Sequence, residues 1–471
     1  MSLLNAESCF IFTDTETSGL NINFSQIIQV GSILSNDSIE VEDTQDLNCN
    51  LLPWVVPSPE AFLVHRRVES LVGKELSHYE MMLKLRQEWL DWSSSRNPVF
   101  ITYNGHRFDE ELFRRQFYWC LLPSYITNTE GASRLDLMYT FQLIANFFSH
   151  CVQVPRNDEG EVSLKLTDWA NQNDISSEGA HDALNDCYLM VELSKIVKDK
   201  AGAAWKASLK GSSKGGNLNL IQSEPFAMLG EVFRKKTFPS PITFCGQNPK
   251  FTNEVAVLDL CCNPDELDEY TDNELLEQIG TSGTAIRKLK INRSLPIMPS
   301  DQIPNLKEHL ENMNVTQNKV EENAFKIRNN VNLQKRISEL MANNQISYPE
   351  PKFVEQSVYA GFASKADELW MERFHSEDWN KKATLINGFE DKRYKELAER
   401  LVCSNSPNSI STEANSKYKL FLKERIHSKG PWLDLKGAKE KTDKLLLETK
   451  DDEDKKILEQ LKDHLKSMAL L

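Results

Sequence analysis

The sequence predicts an α/β protein with a mixed sheet in its first 200 residues, a largely β middle region and a helical C-terminal region. Apolar runs at 9–12, 27–34 and 99–103 have the length and composition of strands, and helix-like segments at 109–119 and 181–197 alternate with them. Strands that alternate with helices are typical of α/β domains. Towards the C-terminus only helical periodicity remains.

The middle region holds short strand-like pieces, one helical piece and a proline-rich end. The strand-like pieces are 231–238, 254–262 and 285–293, with the helical piece at 272–280. The stretch 209–219 is rich in Gly and Ser but lacks the G-x-x-x-x-G-K-[ST] spacing of a phosphate loop, so we interpret it as a flexible connection. The prolines of 295–305 oppose any continuing strand or helix. The predicted domains are 1–198, 199–347 and 348–471.

The C-terminal region is predicted to be helical over 364–374, 391–402, 417–426 and 455–468. In the last of these segments the apolar residues share one face at helical spacing. They are Ile457, Leu458, Leu461, Leu465 and Met468. This stripe predicts packing against the rest of the protein, with the charged face in solvent.

Composition limits the functional classes. The 471 residues are 40% hydrophobic and 26% charged, with no apolar stretch long enough to span a membrane and no signal-peptide pattern in residues 1–10. Nine cysteines without a CxxC pair predict reduced thiols in the cytoplasm, with Cys261 and Cys262 on a strand. A net charge of −14 means that any nucleic-acid binding must use a local basic surface.

Three acidic residues lie at predicted strand and helix ends, where a bound cation would account for their positions. Asp14 and Glu16 are two apart after the first strand, so both point to one face. Asp109 follows an Asn-Gly turn at the opening of a helix. Each has an ordinary alternative, because strand ends are often solvated and acids favour helix N-termini.

A fourth acid strengthens the case for a metal site. Asp186 lies in line with Met190, Leu193 and Val197 on a predicted helix, and a carboxylate on an apolar stripe is costly unless it is paired. Oxygen-rich sites suit Mg²⁺ or Mn²⁺, and two such ions stabilise phosphodiester displacement. His181, five residues before Asp186, has the chemistry of a general base, although a lone histidine is commonly a surface or capping residue.

The motifs "DTET", "YNGHRFDEE" and "AHDALND" resemble those of the DEDDh exonucleases, whose fold is ribonuclease-H-like. Further segments resemble the bacterial exonuclease I family in order and spacing, so the similarity covers essentially the whole chain. They are "SRLDLMYTFQL", "VSLKLTDWANQN", "KLKINRSLPI", "VYAGFASKAD" and "DKRYKELAERL". The resemblance implies an exonuclease domain, an SH3-like β domain and a helical domain that form a C-shaped clamp. It also implies 3′→5′ degradation of single-stranded DNA to nucleoside 5′-monophosphates, in repair and recombination, by a monomer.

The resemblance assigns roles to individual residues. Asp14, Glu16 and Asp186 match ligands of two Mg²⁺ ions, with Mn²⁺ able to substitute. Asp109 completes the catalytic acids, and His181 matches the general base. The matched substrate contacts are Glu16 and Lys165 at the terminal nucleotide and Arg114 and Tyr125 along the DNA path. Without the resemblance, Lys165 is equally an exposed strand-end lysine, and Arg115 is best explained as a solvated helix residue.

Three further expectations concern charge and partners. The family has a small hydrophobic turn with glycine where this chain has His65, Arg66 and Arg67, so contacts to the terminal base are expected to differ. Basic residues at 234–236 and 287–293 give the middle region local positive charge. The resemblance also implies binding of the acidic, phenylalanine-ended tail of the single-stranded-DNA-binding protein, for which 332–340 is a candidate or an ordinary packed helix.

Two other functional readings remain open from the sequence. A superfamily relative acting on RNA 3′ ends or proofreading a polymerase would share the acids, but the matches beyond residue 280 count against it. A non-catalytic single-stranded-DNA-binding clamp would keep the fold, yet all five site residues are present.

Overall fold

The computed structural model describes residues 8–129, 131–280, 283–344 and 349–470. The signal-peptide expectation concerns residues that lie largely outside this range, and the expected boundary between 347 and 348 lies outside it too. No helix in the described residues is both long and apolar enough to cross a membrane.

The first sheet is mixed and has five strands in the order β3-β2-β1-β4-β5. The strands are β1 (Ser8–Thr17), β2 (Ile27–Ser35), β3 (Val41–Asn48), β4 (Asn97–Thr102) and β5 (Ser133–Asp136). β1 pairs antiparallel with β2 and parallel with β4. The helices of this region are α1 (Pro59–His65), α2 (His78–Trp92), α3 (Asp109–Trp119), α4 (Leu137–Phe147), α5 (Leu166–Gln172) and α6 (Ala183–Lys200).

Helix α6 approaches the sheet very closely at Gly31 of β2. A Cβ atom on Gly31 would lie 2.4 Å from the carbonyl carbon of Ala183 and from the backbone nitrogen of Leu184. Only glycine leaves room for the first turn of α6 at this point. Because Gly31 is the cross-strand partner of Asp14, this contact brings the start of α6 beside the acidic end of β1.

The middle region contains a six-stranded sheet in the order β11-β6-β7-β8-β10-β9. Its strands are β6 (Ala227–Phe233), β7 (Lys236–Gln247), β8 (Glu254–Asp259), β9 (Ile279–Gly280), β10 (Ile286–Lys290) and β11 (Ile297–Pro299). The helices around it are α7 (Gly202–Lys210), α8 (Lys214–Ile221), α9 (Asp265–Glu269), α10 (Asp272–Glu277), α11 (Leu306–Asn312), α12 (Gln317–Asn329) and α13 (Val331–Asn343).

The C-terminal region is helical, as predicted. Its helices are α14 (Lys365–Ser376), α15 (Trp379–Leu385), α16 (Lys392–Asn405), α17 (Thr412–His427), α18 (Leu435–Glu448) and α19 (Asp452–Met468). Short 3-10 helices occur at Val68–Leu71, Gly105–Arg107, Ile126–Asn128, Ser300–Gln302, Val354–Tyr359, Ile386–Gly388 and Pro407–Ser409. The apolar stripe predicted on α19 is buried.

Two hydrophobic cores join the regions. One contains Ile11 and Phe62 from the first region together with Leu401 and Leu461 from the C-terminal helices. The other contains Phe12 and side chains on α4 and α6 together with the middle sheet. The sheet of the first region is therefore packed against a different neighbour on each side.

Several local predictions were wrong. Residues 209–219 are not a flexible connection, because α7 ends and α8 begins there, with the Ser213 side chain capping α8. The piece 231–238 is a hairpin rather than one strand, since Arg234 and Lys235 turn the chain with positive φ. Cys261 and Cys262 follow the end of β8 and do not lie on it. The proline-rich stretch 295–305 does contain a short strand, β11, which pairs with β6 at the edge of the sheet and ends at Pro299.

Candidate active site

Strand β1 presents Asp14 and Glu16 on one face at its C-terminal end. The strand runs beyond the apolar run that predicted it, and its backbone pairs Asp14 with Gly31 and Glu16 with Gln29 of β2. The period of two along the strand puts both carboxylates on the same side of the sheet. Neither acid is a free strand end, because both are within the paired part of the strand.

Asp186 reaches the same place from the first turn of α6. One carboxylate oxygen each from Asp14, Glu16 and Asp186 lie within 4.8 Å of one another. Oδ1 of Asp186 is buried and makes no hydrogen bond within the described protein. Three converging carboxylates with an unpartnered buried oxygen are a donor set that fits a hard divalent cation.

Asp109 lies next to this cluster but is held differently. It is the first residue of α3, is buried, and accepts a hydrogen bond from the Thr15 hydroxyl between the two β1 acids. The turn before α3 is held by Asp136, whose carboxylate accepts from the backbone N–H groups of Asn104 at 2.7 Å and His106 at 3.3 Å. These bonds fix where α3 starts and therefore where Asp109 points.

The electrostatics of the cluster reflect crowded negative charge. Desolvation, with repulsion from Asp109, Asp186 and Glu16, raises the pKa of Asp14 well above its usual range. Desolvation, with repulsion from Asp186 and Asp109, raises the pKa of Glu16 to about 8, and burial raises that of Asp109 to about 7. Desolvation also raises the pKa of Asp186, offset in part by the neighbouring His181. A cation in the cluster would favour the ionised acids and reverse these shifts.

His181 lies two residues before α6 and is exposed to solvent. Its backbone has a φ of 66°, in the left-handed region that is uncommon for residues other than glycine. The next residue, Asp182, caps α6 by accepting a hydrogen bond from the backbone N–H of Asn185 at 3.1 Å. His181 therefore has an uncommon backbone conformation, directly precedes the fixed cap of α6 and lies beside Asp186.

The predicted substrate-contacting residues have unequal exposure. Lys165 is exposed and immediately precedes α5, so it does not end a strand. The Arg114 side chain is only 11% exposed and contacts Glu111 at 3.0 Å and the Tyr359 hydroxyl at 3.1 Å. Its guanidinium lies 5.6 Å from the centre of the Tyr125 ring.

Around Tyr125 the structure forms an exposed aromatic surface that the sequence did not predict. Tyr125 packs against Phe362, with ring centroids 5.6 Å apart, and Tyr359 lies beside Arg114. Phe362 is 84% exposed and Tyr359 is 51% exposed. The surface thus joins the first region to the segment after residue 353.

Two expectations about basic residues were wrong or incomplete. Arg115 is not a solvated helix residue, because it is buried and donates to Glu111 and to Asn23 at 2.9 Å. Arg287 is also buried, in an ion pair with Glu231 across the middle sheet. Lys290, at the end of β10, is exposed.

The turn at 65–67, where the sequence was expected to differ from the family it resembles, is built into its surroundings. His65 is buried against Phe62, and its Nδ1 accepts the Arg67 backbone N–H at 3.0 Å. Arg66 forms ion pairs with Glu453 and Asp454 on α19. Arg67 forms an ion pair with Asp182, the cap of α6.

Sequence reasoning missed Thr15, Gln29 and Asp182, and it singled out Arg67 without its contact to Asp182. Asp182 carried a recognisable signal, because an aspartate directly before a helical pattern is a strong N-cap residue. Thr15 lies between two candidate ligands, where a hydroxyl can support a third acid. No local signal identifies Gln29 or Arg67, since their contacts with Asp182 join distant parts of the chain.

The candidate partner helix 332–340 falls within α13 and packs as part of the fold. Leu333 and Ile337 are buried beneath the middle sheet, so the apolar stripe is accounted for by internal packing. Arg336 is paired with Asp272 at 2.8 Å, whereas the Lys335 side chain is 75% exposed.

Comparisons with known proteins agree with the fold and cover nearly the whole chain. A family model of the exonuclease I C-terminal domain matches residues 352–468. The exodeoxyribonuclease I of Haemophilus influenzae is 23% identical over 437 residues, covering 88% of this chain and 90% of that protein. E. coli exonuclease I in complex with a dA16 oligonucleotide is 19% identical with a TM-score of 0.85, covering 98% of this chain and 100% of that chain.

A zinc-bound form of the E. coli exonuclease I complex with single-stranded DNA is also similar. It has a TM-score of 0.83 and 19% identity over 98% of this chain and 100% of that one. The predicted α/β fold with a mixed sheet and a helical C-terminal region is confirmed by these structural matches.

Proposed function

We propose that the chain is an exonuclease I that degrades single-stranded DNA in the 3′→5′ direction, releasing nucleoside 5′-monophosphates; the matches to the exonuclease I C-terminal domain and to exodeoxyribonuclease I proteins support this. The observation that carries this proposal is the cluster of Asp14, Glu16 and Asp186 beside Asp109 and His181. We place the activity in DNA repair and recombination and the protein in the cytoplasm as a monomer. Its nine cysteines, all in the described residues, are free thiols, which suits a reducing compartment.

Divalent cations are the cofactor that the acid cluster fits. We propose two Mg²⁺ ions, for which Mn²⁺ can substitute, with Asp14, Glu16 and Asp186 as protein ligands. A divalent cation here supplies positive charge to offset the charge that develops on the phosphate oxygens during displacement. The unpartnered Oδ1 of Asp186 and the raised pKa values of Asp14 and Glu16 support this assignment.

The protein's own groups then divide the remaining chemistry. His181 accepts the proton of the attacking water, because it is exposed and lies beside Asp186 at the acid cluster. Asp109, oriented by Thr15, adds negative charge that supports cation binding by the other acids. Glu16 and Lys165 contact the terminal nucleotide. The exposure of His181 and Lys165 allows both to approach a bound strand.

The strand is proposed to pass over the aromatic surface formed by Tyr125, Tyr359 and Phe362. Stacking on aromatic rings binds bases without sequence preference, while nearby cations contact the backbone. Arg114 lies beneath this surface and steadies Tyr125 and Tyr359 through its ring and hydroxyl contacts. This arrangement suits single-stranded DNA, whose bases are free to stack.

The test is digestion of 5′-labelled oligonucleotides, with single- and double-stranded DNA and single-stranded RNA, each with Mg²⁺ or with EDTA. A ladder that shortens from the 3′ end on single-stranded DNA, only with Mg²⁺, is the expected result. Preferential shortening of RNA would favour an RNA 3′-end exonuclease instead. Tight DNA binding without cleavage under any metal condition would favour a non-catalytic clamp.

We also propose that the chain binds the acidic, phenylalanine-ended tail of the single-stranded-DNA-binding protein. The exposed Lys335 and its neighbour Arg336 are candidates to contact the tail carboxylates. Fluorescence anisotropy with a labelled tail peptide tests this, using wild type and a Lys335→Ala/Arg336→Ala variant. The wild type is expected to bind the peptide with an affinity that falls as ionic strength rises, and the variant is expected to lose this binding. Equal affinity would place the contact elsewhere, and no binding would remove the partner.

A further inference from the structure

The turn at 65–67 reaches the active site through one side chain, Arg67. Building on the proposed function, we propose that Arg67 is a positioning residue, whose guanidinium holds Asp182 and thereby fixes the backbone from which His181 projects. The ion pair joins residues 115 positions apart in sequence, so it links two otherwise separate segments at the edge of the site. It arises at the position where the chain departs from the hydrophobic, glycine-containing turn of its family.

Asp182 is the fixed point next to His181. Its Oδ1 caps α6, and its Oδ2 accepts a hydrogen bond from Gln29 at 3.1 Å and forms the ion pair with Arg67. The Gln29 side-chain oxygen in turn accepts the backbone N–H of Ala183 at 3.1 Å. Gln29 therefore ties the start of α6 to the sheet, whereas Arg67 holds it from the opposite segment with a charge-assisted bond.

Arg67 is itself well anchored. Its backbone N–H donates to the buried His65, and its carbonyl accepts from the Ser70 hydroxyl at 2.9 Å. The preceding Arg66 binds two carboxylates on α19. A guanidinium that projects from such a fixed turn can restrain Asp182, because the turn does not move to follow it.

His181 needs this restraint more than a residue inside a helix would. It is exposed, it has a left-handed backbone, and the preceding Gly179 also has a positive φ of 80°. Such a loop has several accessible backbone conformations unless its ends are fixed. The bonds to Asp182 reduce this freedom at the C-terminal end of the loop, immediately beside His181.

A competing role for Arg67 is direct binding of the terminal nucleotide. Its side chain is 26% exposed, and its charge lowers the pKa of Glu16, so it also faces the acids. The two roles differ in their kinetics. A residue that acts through His181 affects turnover and loses its effect when His181 is removed, whereas a substrate-binding residue raises KM in either background.

The kinetic experiment measures kcat and KM on single-stranded oligonucleotides for Arg67→Ala and Arg67→Lys, each with His181 or with His181→Ala. Arg67→Ala is expected to lower kcat about tenfold with KM changed by less than about twofold, and Arg67→Lys to recover most of the loss. In the His181→Ala background Arg67→Ala should have no further effect. A raised KM, or the same loss in both backgrounds, overturns the positioning role.

Hydrogen exchange gives a readout that does not depend on catalysis. Backbone amides in 177–182 should exchange faster in Arg67→Ala than in wild type, whereas the matched control Arg96→Ala, which removes an ion pair with Glu42 outside this turn, should leave them unchanged. Unchanged exchange in Arg67→Ala overturns the inference even if activity falls. If the wild type degrades no oligonucleotide, the proposed function fails, while the exchange experiment still tests the contact between Arg67 and Asp182.

Discussion

The proton content of the acid cluster tests directly whether these carboxylates bind a divalent cation. Desolvation and mutual repulsion raise the pKa of Glu16 to about 8. At pH 7 the metal-free protein therefore holds Glu16 about nine-tenths protonated, and cation binding must displace that proton because carboxylate ligands bind in the ionised form. Mg²⁺ binding at pH 7 should release about one proton from Glu16, and protons released from Asp14 add to the total. At pH 9 the number of protons released from Glu16 should fall to about one tenth of a proton per protein.

The assay is isothermal titration calorimetry with Mg²⁺ in two buffers of equal pH and different ionisation enthalpies. The difference between the two observed enthalpies gives the number of protons released. Glu16→Gln should remove about one proton from that number at pH 7 and weaken binding. The same substitution at the exposed Glu459 on α19 serves as a matched control and should change neither quantity. A binding enthalpy that is independent of buffer at pH 7 would refute this account of the cluster.

Three more predictions concern the same residues. Asp14→Asn or Asp186→Asn should abolish cleavage but leave binding of single-stranded DNA largely intact in a filter-binding assay, since strand binding depends on other surfaces; near wild-type turnover would contradict the metal role. His181→Ala should lower kcat by about 10²–10⁴-fold while calorimetry shows unchanged Mg²⁺ binding, and a loss below about fivefold would argue against a general base. In EDTA, the free energy of unfolding measured with urea should fall as pH rises from about 5 to 8, because the folded pKa of Glu16 lies above its unfolded value, so the folded state binds more protons in that range. Mg²⁺ should remove this loss, and a flat pH profile in EDTA would be inconsistent with the raised pKa.

Much of the fold could be predicted because its signals are local. The apolar run 27–34 became β2 (Ile27–Ser35), and the helix predicted over 109–119 has those bounds in the structure. Strand and helix periodicity follow from which side chains face a core, so a few neighbouring residues suffice to reveal them. One error occurred where flexibility was inferred from composition. Residues 209–219 looked like a linker, but Gly216 approaches the Lys210 carbonyl so closely that a Cβ would lie 1.6 Å away, and glycine there serves packing.

The acids of the site were identifiable for a related reason. A carboxylate on a buried strand or on an apolar helix stripe conflicts with its local pattern, and that conflict is visible in the sequence at Asp14 and Asp186. A charged residue at a position that the sequence pattern places in solvent shows no conflict of this kind. Arg115 therefore resembled a solvated helix residue, although its contacts with Asn23 and Glu111 bury it.

Arg67 shows why the second layer of a site is harder to predict than the first. Its sequence neighbours identify it only as part of a basic turn, and its partner Asp182 identifies itself only as a helix cap. The contact exists because α1 ends in a left-handed residue, Arg66, which redirects the chain, and because Gly31 lets α6 begin against the sheet. Neither condition alone brings the two charges together. Replacing Gly31 with a larger residue should therefore displace Asp182 and Asp186 together, since the same helical turn carries both.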